Sequence, residues 1–275
     1  DVIDTVPFGK CLIIDGLMQS SELDEYVYHE CLVHPAMLSH PNPKTVFIGG
    51  GGEGSTAREV LRHKTVEKCV MVDIDGDVVD FCKKALTENK EAFADPRLEL
   101  IIDDAKARLE NSPIKFDVII LDLDDPLEGG PCYQLYTKQF YEMAKKQLNP
   151  GGIVVTQSSG GGMKHHKLVF SPVHNTFKQV FPSVYPYATA VYSFADQWSW
   201  VLGFSEPTEK LSSEEIDKRA AERITGENKF LDGVSYTGVF CLSKAVRKTM
   251  AEEDKVLSVD GTFSLFYGSG VHEKK

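Results

Sequence analysis

Three carboxylates stand within four residues in the segment Asp122-Leu-Asp-Asp-Pro126, directly after an apolar run that predicts a buried strand. Like charges crowded in this way repel one another, so a cation should offset them. One alternative is a structural network with Lys or Arg side chains, and the other is a cationic substrate. An amine nitrogen of such a substrate is protonated at pH 7 and must lose a proton before it can attack carbon. One carboxylate can accept that proton while the others hold the remaining ammonium groups.

A glycine-rich loop at 49–55 reads Gly-Gly-Gly-Gly-Glu-Gly-Ser, which fits the pattern G-x-G-x-x-G at the start of a helix. The pattern is weak on its own, but Gly50, Gly51 and Gly52 permit a tight turn and a close approach of the backbone to a ligand. A dinucleotide would place its pyrophosphate at this helix terminus, where Glu53 would repel it. The loop therefore predicts a nucleoside without phosphates, and the alternative is a turn that only connects a strand to a helix.

Two further strand ends carry acidic residues. Asp73 lies nineteen residues after Gly54, close to the spacing of about 20 at which an acidic residue binds a ribose diol. Its alternative is a helix cap, although Asp77 fits that role better. Asp103 and Asp104 follow the next strand, where a carboxylate could accept a hydrogen bond from an adenine amino group; the two residues could equally cap the helix that follows.

The elements that position these residues alternate between apolar strands and amphipathic helices, which predicts a mostly parallel sheet. The predicted strands are 45–49, 68–73, 98–102, 116–122, 152–156, 187–192 and 198–204. Ligands of such sheets bind beyond the carboxyl ends of the strands. The link between the last two strands is too short for a helical crossover, so we expect an antiparallel pair. The pattern predicts an α/β, Rossmann-like fold of seven strands, similar to that of adenosylmethionine-dependent methyltransferases.

The sequence predicts two domains. Residues 1–40 predict a small N-terminal β appendage with a strand near 10–16, followed by a lead-in helix at 22–38. Residues 41–275 predict the Rossmann-like catalytic domain, and polar helices are expected at 212–224 and 243–253.

Composition narrows the class of partner and the compartment. The 275 residues carry a net charge of −11, which argues against nucleic acid and anionic membranes, since both require basic surfaces. The six cysteines are scattered without a C-x-x-C pair, which predicts reduced thiols in a cytoplasmic protein. No run of about 18 apolar residues could span a bilayer. His165 and His166 have no third ligand at a suitable spacing, so we interpret them as loop residues and predict no metal site.

Several segments, taken together and in order, resemble the spermidine/spermine synthase family of aminopropyltransferases over about residues 8–204. They are Phe8-Gly-Lys-Cys-Leu-Ile-Ile-Asp-Gly16, Asp24-Glu-Tyr-Val-Tyr-His-Glu30, His40-Pro-Asn-Pro-Lys44, Gly50-Gly-Gly-Glu-Gly54, Asp122-Leu-Asp-Asp-Pro126 and Phe140-Tyr141. No single segment would suffice, whereas the set is highly specific. The resemblance implies transfer of an aminopropyl group from decarboxylated S-adenosylmethionine, a co-substrate, to a polyamine. It also implies a homodimer or homotetramer, and we expect no cofactor.

The resemblance assigns roles on the acceptor side of the reaction. Asp122 matches the family's proton acceptor, and Asp125 matches a second Asp that holds the amine. Tyr28 and His29 match residues that line the polyamine channel.

On the donor side, the resemblance implies that Glu53 contacts the aminopropyl amine from within the glycine-rich loop. Asp73 matches the acid that binds ribose, and Asp104 with Ala105 matches the pair that recognises adenine. Pro131 matches a proline that contacts the nucleoside, within a loop that carries an inserted residue.

One departure from the family pattern concerns the acceptor. Where most spermidine synthases have Tyr-Pro-Ser-Gly-x-Trp, this chain has Ser193-Phe-Ala-Asp-Gln-Trp198. Ser193 replaces a ring and Asp196 adds a carboxylate, which suits a longer and more cationic acceptor. This segment and 127–136 are similar to those of plant-type thermospermine synthases, which implies spermidine as the acceptor and thermospermine and 5'-methylthioadenosine as products. The alternatives are spermidine or spermine synthesis, a methyltransferase, and a catalytically silent binding protein.

Overall fold

The computed structural model describes residues 1–126 and 132–261. The chain begins with a three-stranded antiparallel sheet of β1 (Val2–Thr5), β2 (Gly9–Ile14) and β3 (Leu17–Ser21), in that order. The predicted N-terminal β appendage is therefore present. The β2–β3 turn at Asp15 and Gly16 adopts positive φ angles of 50° and 78°.

The main sheet has seven strands, as the sequence predicts. They are β4 (Thr45–Gly50), β5 (Lys68–Asp73), β6 (Leu98–Ile102), β7 (Phe116–Asp122), β8 (Leu148–Gly160), β9 (Ser183–Val191) and β10 (Asp196–Phe204). Their order across the sheet is β6-β5-β4-β7-β8-β10-β9. The first five run parallel, whereas β10 pairs antiparallel with both β8 and β9. The carboxyl ends of β4, β5, β6 and β7 thus meet at one edge, where the predicted nucleoside and amine groups lie.

Ten α-helices connect and cover the strands in the described ranges. They are α1 (Glu25–Ser39), α2 (Ser55–Leu61), α3 (Gly76–Ala85), α4 (Lys90–Ala94), α5 (Ala105–Glu110), α6 (Lys138–Lys146), α7 (Phe170–Lys178), α8 (Ser213–Arg223), α9 (Gly233–Val239) and α10 (Lys244–Glu252). In the described ranges, no helix is both long enough and apolar enough to cross a membrane.

Two apolar clusters cover the two faces of the main sheet. One face packs against α1, from Val27 to Leu38, and also against parts of α2, α8 and α9. The other packs against α6, α7 and α10 through residues such as Phe140 and Phe177. Alternate residues of β7 enter the two clusters, as Ile120 and Ile119 do, because successive side chains of a strand point to opposite faces.

Several local features differ from the sequence prediction, and β9 begins four residues earlier than predicted. β8 begins four residues earlier and ends four residues later than predicted, because its polar end, Thr156–Ser159, is buried and hydrogen-bonded. α9 was not predicted; its capping box joins Asp232 to Ser235. The cap of α3 is Asp75 and not Asp77, since the Asp75 carboxylate accepts from the Val78 amide.

Candidate active site

The side chain of Asp122 is held at both oxygens where β7 ends. The Tyr28 hydroxyl donates to Oδ1 across 2.6 Å, and the Thr56 hydroxyl donates to Oδ2 across 2.5 Å. The Gly51 amide donates to the Asp122 backbone carbonyl across 3.0 Å. A Cβ at Gly50, which has a φ of 79°, would lie 2.1 Å from that carbonyl oxygen, so only glycine fits there. The glycine-rich loop therefore packs directly against the backbone of Asp122.

Tyr28 reaches Asp122 from α1 on the neighbouring face. Burial and the Asp122 charge raise the pKa of Tyr28 well above its usual value, so the phenol stays protonated and acts as a donor. Its ring lies 5.9 Å from the ring of Phe194 and 5.7 Å from that of Trp200. Tyr28, which is predicted to line the polyamine channel, thus contacts Asp122, the candidate proton acceptor. The rings of Phe194 and Trp200 lie beside it.

Asp125 is positioned by the polar end of β8. Gln157 Nε2 and Ser159 Oγ each lie 3.3 Å from a carboxylate oxygen of Asp125. Gln157 also donates to the Leu123 carbonyl across 2.6 Å, which holds the loop after β7. Ser159 has a φ of 62°, a left-handed conformation that is uncommon for serine. Sequence analysis missed Gln157 and Ser159, and the signal that could have found them is the polar run at the end of an otherwise apolar strand.

His29 lies between two carboxylates. Its Nδ1 is 2.8 Å from Glu25 Oε2, and its Nε2 is 3.4 Å from Glu53 Oε1. Burial favours the neutral ring, but Glu53 and Glu25 outweigh it and raise the pKa of His29 from 6.5 to about 9. Burial alone would raise the pKa of Glu25, yet His29 and Arg58 lower it from 4.5 to about 2. His29 is therefore an imidazolium at neutral pH, which donates to Glu25 and forms an ion pair with Glu53.

Glu53 is a partly buried carboxylate, and its side chain is 11% exposed. Burial raises its pKa, while His29, Ser55 and Ser20 oppose that rise. Its backbone carbonyl accepts from Asn89 Nδ2 across 2.9 Å, which holds the loop against the chain after α3. The predicted contact of Glu53 with a ligand amine would therefore occur beside the resident imidazolium.

Glu25, His29 and Glu53 also offer three potential metal ligands within 4.8 Å of one another. The two His29 nitrogens, however, already face carboxylates at 2.8 and 3.4 Å, and a protonated imidazole has no lone pair to offer a metal. Arg58 Nη2 already contacts both oxygens of Glu25, at 2.9 and 2.7 Å. We interpret the cluster as an ion-pair network.

Asp73 is held by backbone amides at the end of β5. Its Oδ2 accepts from Gly52 across 2.8 Å and its Oδ1 accepts from Asp75 across 2.9 Å. Burial raises the pKa of Asp73, and those two amides oppose the rise. The aliphatic side chains of Ile74 and Ile102 are 65% and 48% exposed beside it, which suits them to contact a planar base. Sequence analysis missed both, although exposed aliphatic residues at strand ends are a recognisable signal.

Asp104 caps α5, the alternative that the sequence left open. Its Oδ1 accepts from the amides of Lys106 and Ala107, at 2.7 and 3.2 Å. A role in adenine recognition for Asp104 and Ala105 stays a prediction. The two capping hydrogen bonds use only Oδ1 of Asp104, so they do not exclude a contact between Oδ2 and adenine. Pro131 lies outside the described residues.

The segment after β9 contacts the start of α1. The Ser193 amide donates to Asp24 Oδ2 across 2.9 Å, and Ser21 Oγ donates to the other Asp24 oxygen across 2.8 Å. Asp196 Oδ2 lies 2.7 Å from His165 Nδ1. His165, which we interpreted as a loop residue, is therefore the partner of the carboxylate that we expect to bind the acceptor amine. A Cβ at Gly160 would lie 2.8 Å from Asp196, which places this pair beside the end of β8 next to Ser159.

The structure thus brings most of the predicted site together. Direct hydrogen bonds join Tyr28 to Asp122 and Gly52 to Asp73, and an ion pair joins His29 to Glu53. The Asp122 charge also contributes to the raised pKa of Asp73. The residue predicted to bind the nucleoside donor is therefore close to the residue predicted to act on the amine acceptor.

Comparisons with known proteins decide the family. The model of the spermine/spermidine synthase domain matches residues 25–213. The chain belongs to this family. It is 52% identical over 271 residues to the thermospermine synthase ACAULIS5 of Arabidopsis thaliana, which covers 98% of this chain and 79% of that protein. It is 44% identical over 254 residues to the polyamine aminopropyltransferase 2 of Hyperthermus butylicus, covering 91% of this chain and 82% of that protein.

Solved structures of the family have the same fold. A spermidine synthase in complex with the transition-state analogue AdoDATO superposes with a TM-score of 0.84 at 29% identity, covering 92% of this chain and 85% of that one. The spermidine synthase of Thermotoga maritima superposes with a TM-score of 0.80 at 28% identity, covering 91% and 83%. The predicted fold and the predicted family are both confirmed.

Proposed function

We propose that this chain transfers the aminopropyl group of decarboxylated S-adenosylmethionine to spermidine, giving thermospermine and 5'-methylthioadenosine. Family membership supports an aminopropyltransferase, and the name of the 52% identical Arabidopsis relative supports thermospermine as the product. The donor is a co-substrate, so the reaction requires no resident cofactor.

The chemistry is a substitution at carbon. A neutral amine nitrogen of the acceptor attacks the methylene carbon next to the donor sulfur, and a C–N bond forms. The C–S bond breaks with its electron pair moving to sulfur, which leaves as a neutral thioether and needs no acid. Before the attack, the protonated nitrogen loses one proton to Asp122; after the attack, the product nitrogen carries the positive charge that the sulfonium gives up.

The single observation that carries this proposal is the environment of Asp122. Its oxygens accept from the neutral hydroxyls of Tyr28 and Thr56. Among the ion pairs of the described residues, none includes Asp122. The carboxylate therefore keeps its negative charge for a cationic ligand, and the proton acceptor is held in a fixed orientation.

Other residues bind and orient the two substrates. Asp125 holds an ammonium group of the acceptor, and Tyr28 and His29 line its channel. Asp73 binds the ribose hydroxyls, Glu53 contacts the aminopropyl amine, and the glycine backbone at 50–52 follows the nucleoside. Asp104, Ala105 and Pro131 contact the base or its sugar.

Acceptor length is the basis for preferring spermidine over putrescine. Ser193 lacks the ring that closes the site in most spermidine synthases, and Asp196 adds a carboxylate at the start of β10. A triamine carries one more ammonium group than putrescine, and Asp196 is suited to receive it in exchange for His165.

A methyltransferase is the second candidate, because the fold and the ribose acid suit both donors. Repulsion between Glu53 and the carboxylate of S-adenosylmethionine favours the decarboxylated donor. The imidazolium of His29 beside Glu53 reduces this repulsion, so the binding of the two donors is compared by experiment.

The test combines donor binding with product analysis. Decarboxylated S-adenosylmethionine should raise the melting temperature of the protein more than S-adenosylmethionine does. Chromatography of reactions with putrescine, spermidine and agmatine should show thermospermine from spermidine as the main product. Stabilisation by the methyl donor alone would overturn the proposed class, and spermine or spermidine as the main product would overturn the proposed acceptor or regiochemistry.

We further propose a cytoplasmic homodimer or homotetramer and a domain boundary near residue 40. The six cysteines are free, which supports a reducing compartment. α1 packs on the main sheet, so the proposed lead-in helix stabilises the catalytic domain although it precedes the boundary. Light scattering after size-exclusion chromatography tests the oligomer, and a monomer would overturn it.

A further inference from the structure

Thr56 lies in the first turn of α2, and its side chain is fully buried. A threonine hydroxyl in a helix often donates to a backbone carbonyl of its own helix. The Thr56 hydroxyl instead donates to Oδ2 of Asp122, which lies 66 residues further along the chain on β7. The residue therefore serves a contact between elements, and that contact reaches the proposed proton acceptor.

Thr56 and Tyr28 divide the two oxygens of Asp122 between them. Each hydroxyl occupies one acceptor position on a different oxygen, and a carboxylate offers about four such positions. Two bonds from opposite elements, α1 and α2, prevent rotation of the carboxylate about its Cβ–Cγ bond. The remaining lone pairs then keep a constant direction, as a proton acceptor requires.

The surroundings of Thr56 leave the carboxylate little room to move toward α2. A Cβ at Gly51 would lie 3.2 Å from Asp122 Oδ2 and 3.6 Å from Thr56 Cβ. Gly51 also donates its amide to the Asp122 backbone carbonyl across 3.0 Å. Loop, helix and carboxylate are thus in mutual contact.

We propose that Thr56 is a positioning residue for the aminopropyl transfer proposed above, and that its hydroxyl fixes the Asp122 carboxylate in the orientation that accepts the proton of the acceptor nitrogen. Thr56 itself has no exposed surface through which to contact substrate. Its effect therefore passes through Asp122.

The decisive variant is Thr56→Val, which keeps the volume and removes the donor. A hydrogen bond to a charged group is worth enough that its loss should lower kcat about 10- to 100-fold. The KM for spermidine should change little, and the acidic limb of the kcat/KM profile should move to higher pH. Thr56→Ser restores the hydroxyl and should recover most of the wild-type kcat.

A matched control separates this effect from loss of a buried hydroxyl in general. Thr176 is also fully buried, but its hydroxyl donates to the Pro172 carbonyl and accepts from the Leu257 amide. Thr176→Val should lower the melting temperature and leave kcat and the pH profile unchanged. If Thr56→Val does not fold, Thr56→Cys is measured instead, because it keeps a similar volume and has a weak donor. Its kcat should lie between that of Thr56→Ser and that of an enzyme without the donor.

Specific results would overturn the role of Thr56. The first is that the kcat and the pH profile of Thr56→Val equal those of the wild type. If Thr56→Cys is the variant measured, the same result in that variant would overturn the role. An equal loss of kcat in Thr56→Ser and Thr56→Val would also overturn it, since only packing would then matter. A wild-type protein that transfers no aminopropyl group would instead overturn the proposed function, and this role with it.

Discussion

The charge state of His29 predicts a distinctive dependence of stability on pH. The pKa of His29 is 6.5 in the unfolded chain and about 9 in the folded protein. Below pH 6.5 both states bind the proton and the stabilisation is fully present; it is lost as the pH rises toward 9, because only the folded state still binds the proton. The full contribution is about 3 kcal/mol at about 1.4 kcal/mol per pKa unit. Glu25 shares the same ion pair, so its own lowered pKa is not added.

The assay is urea denaturation of the wild type and of His29→Gln at several pH values from 7 to 8.5. The free energy of unfolding of the wild type should fall by about 2 kcal/mol more than that of the variant over this range. This range lies above the titration of ordinary histidines and below that of the buried thiols.

His174→Gln is the matched control. Burial, followed by the charge of Lys178, lowers the pKa of His174 to about 4, so this side chain is neutral in both states over the range measured. Its removal should change the free energy of unfolding by a nearly constant amount at every pH. A difference between wild type and His29→Gln that is equally constant would refute the conclusion that His29 carries a proton between Glu25 and Glu53.

Three further predictions concern binding and turnover. Asp122→Asn should lower kcat by about 10²- to 10⁴-fold, the usual contribution of a general base, while calorimetry should find the affinity for 5'-methylthioadenosine nearly unchanged; retained turnover would remove Asp122 from the role of proton acceptor. Asp73→Ala should weaken that affinity by about tenfold or more, whereas Asp103→Ala, which removes an exposed partner of Arg108 on the adjacent strand end, should not. Asp196→Asn should raise the KM for spermidine by about tenfold and that for putrescine much less, and equal effects on both amines would contradict a contact with the additional ammonium group.

Four of the five parallel strands, β4 to β7, could be predicted from the sequence almost to the residue. β5, β6 and β7 have the predicted bounds because buried parallel strands read as short apolar runs, and an acidic residue marks where β5 and β7 end. α9 could not be predicted in this way. It is a short segment that contains two glycines, and its stability depends on a capping box and on burial of Tyr236.

The residues of the site also fall into those that a local sequence pattern could predict and those that it could not. Carboxylates at strand ends could be predicted, because topology alone brings the ends of parallel strands to one edge. Thr56 and Gln157 could not, since each acts through a contact with a residue more than thirty positions away. A threonine in a helix or a glutamine in a strand has no local pattern that shows such a contact. The pairing of His165 with Asp196 was missed for the same reason.

Internal cations and a cationic substrate, the two alternatives for the carboxylates after β7, also separate the acids of the site into two groups. Glu25, Glu53 and Glu59 are balanced by His29, Arg58 and Arg62, three cations against three acids, so this network exerts little net attraction when all six are ionised. Asp122 and Asp73 accept only neutral hydroxyls and amides in the bonds described, and neutral donors orient a carboxylate without cancelling its charge. We therefore expect the attraction for a polyamine to come from Asp122, whereas Asp73 is proposed to bind ribose. The first group is expected to set the charge of the site beside the proposed position of the donor amine.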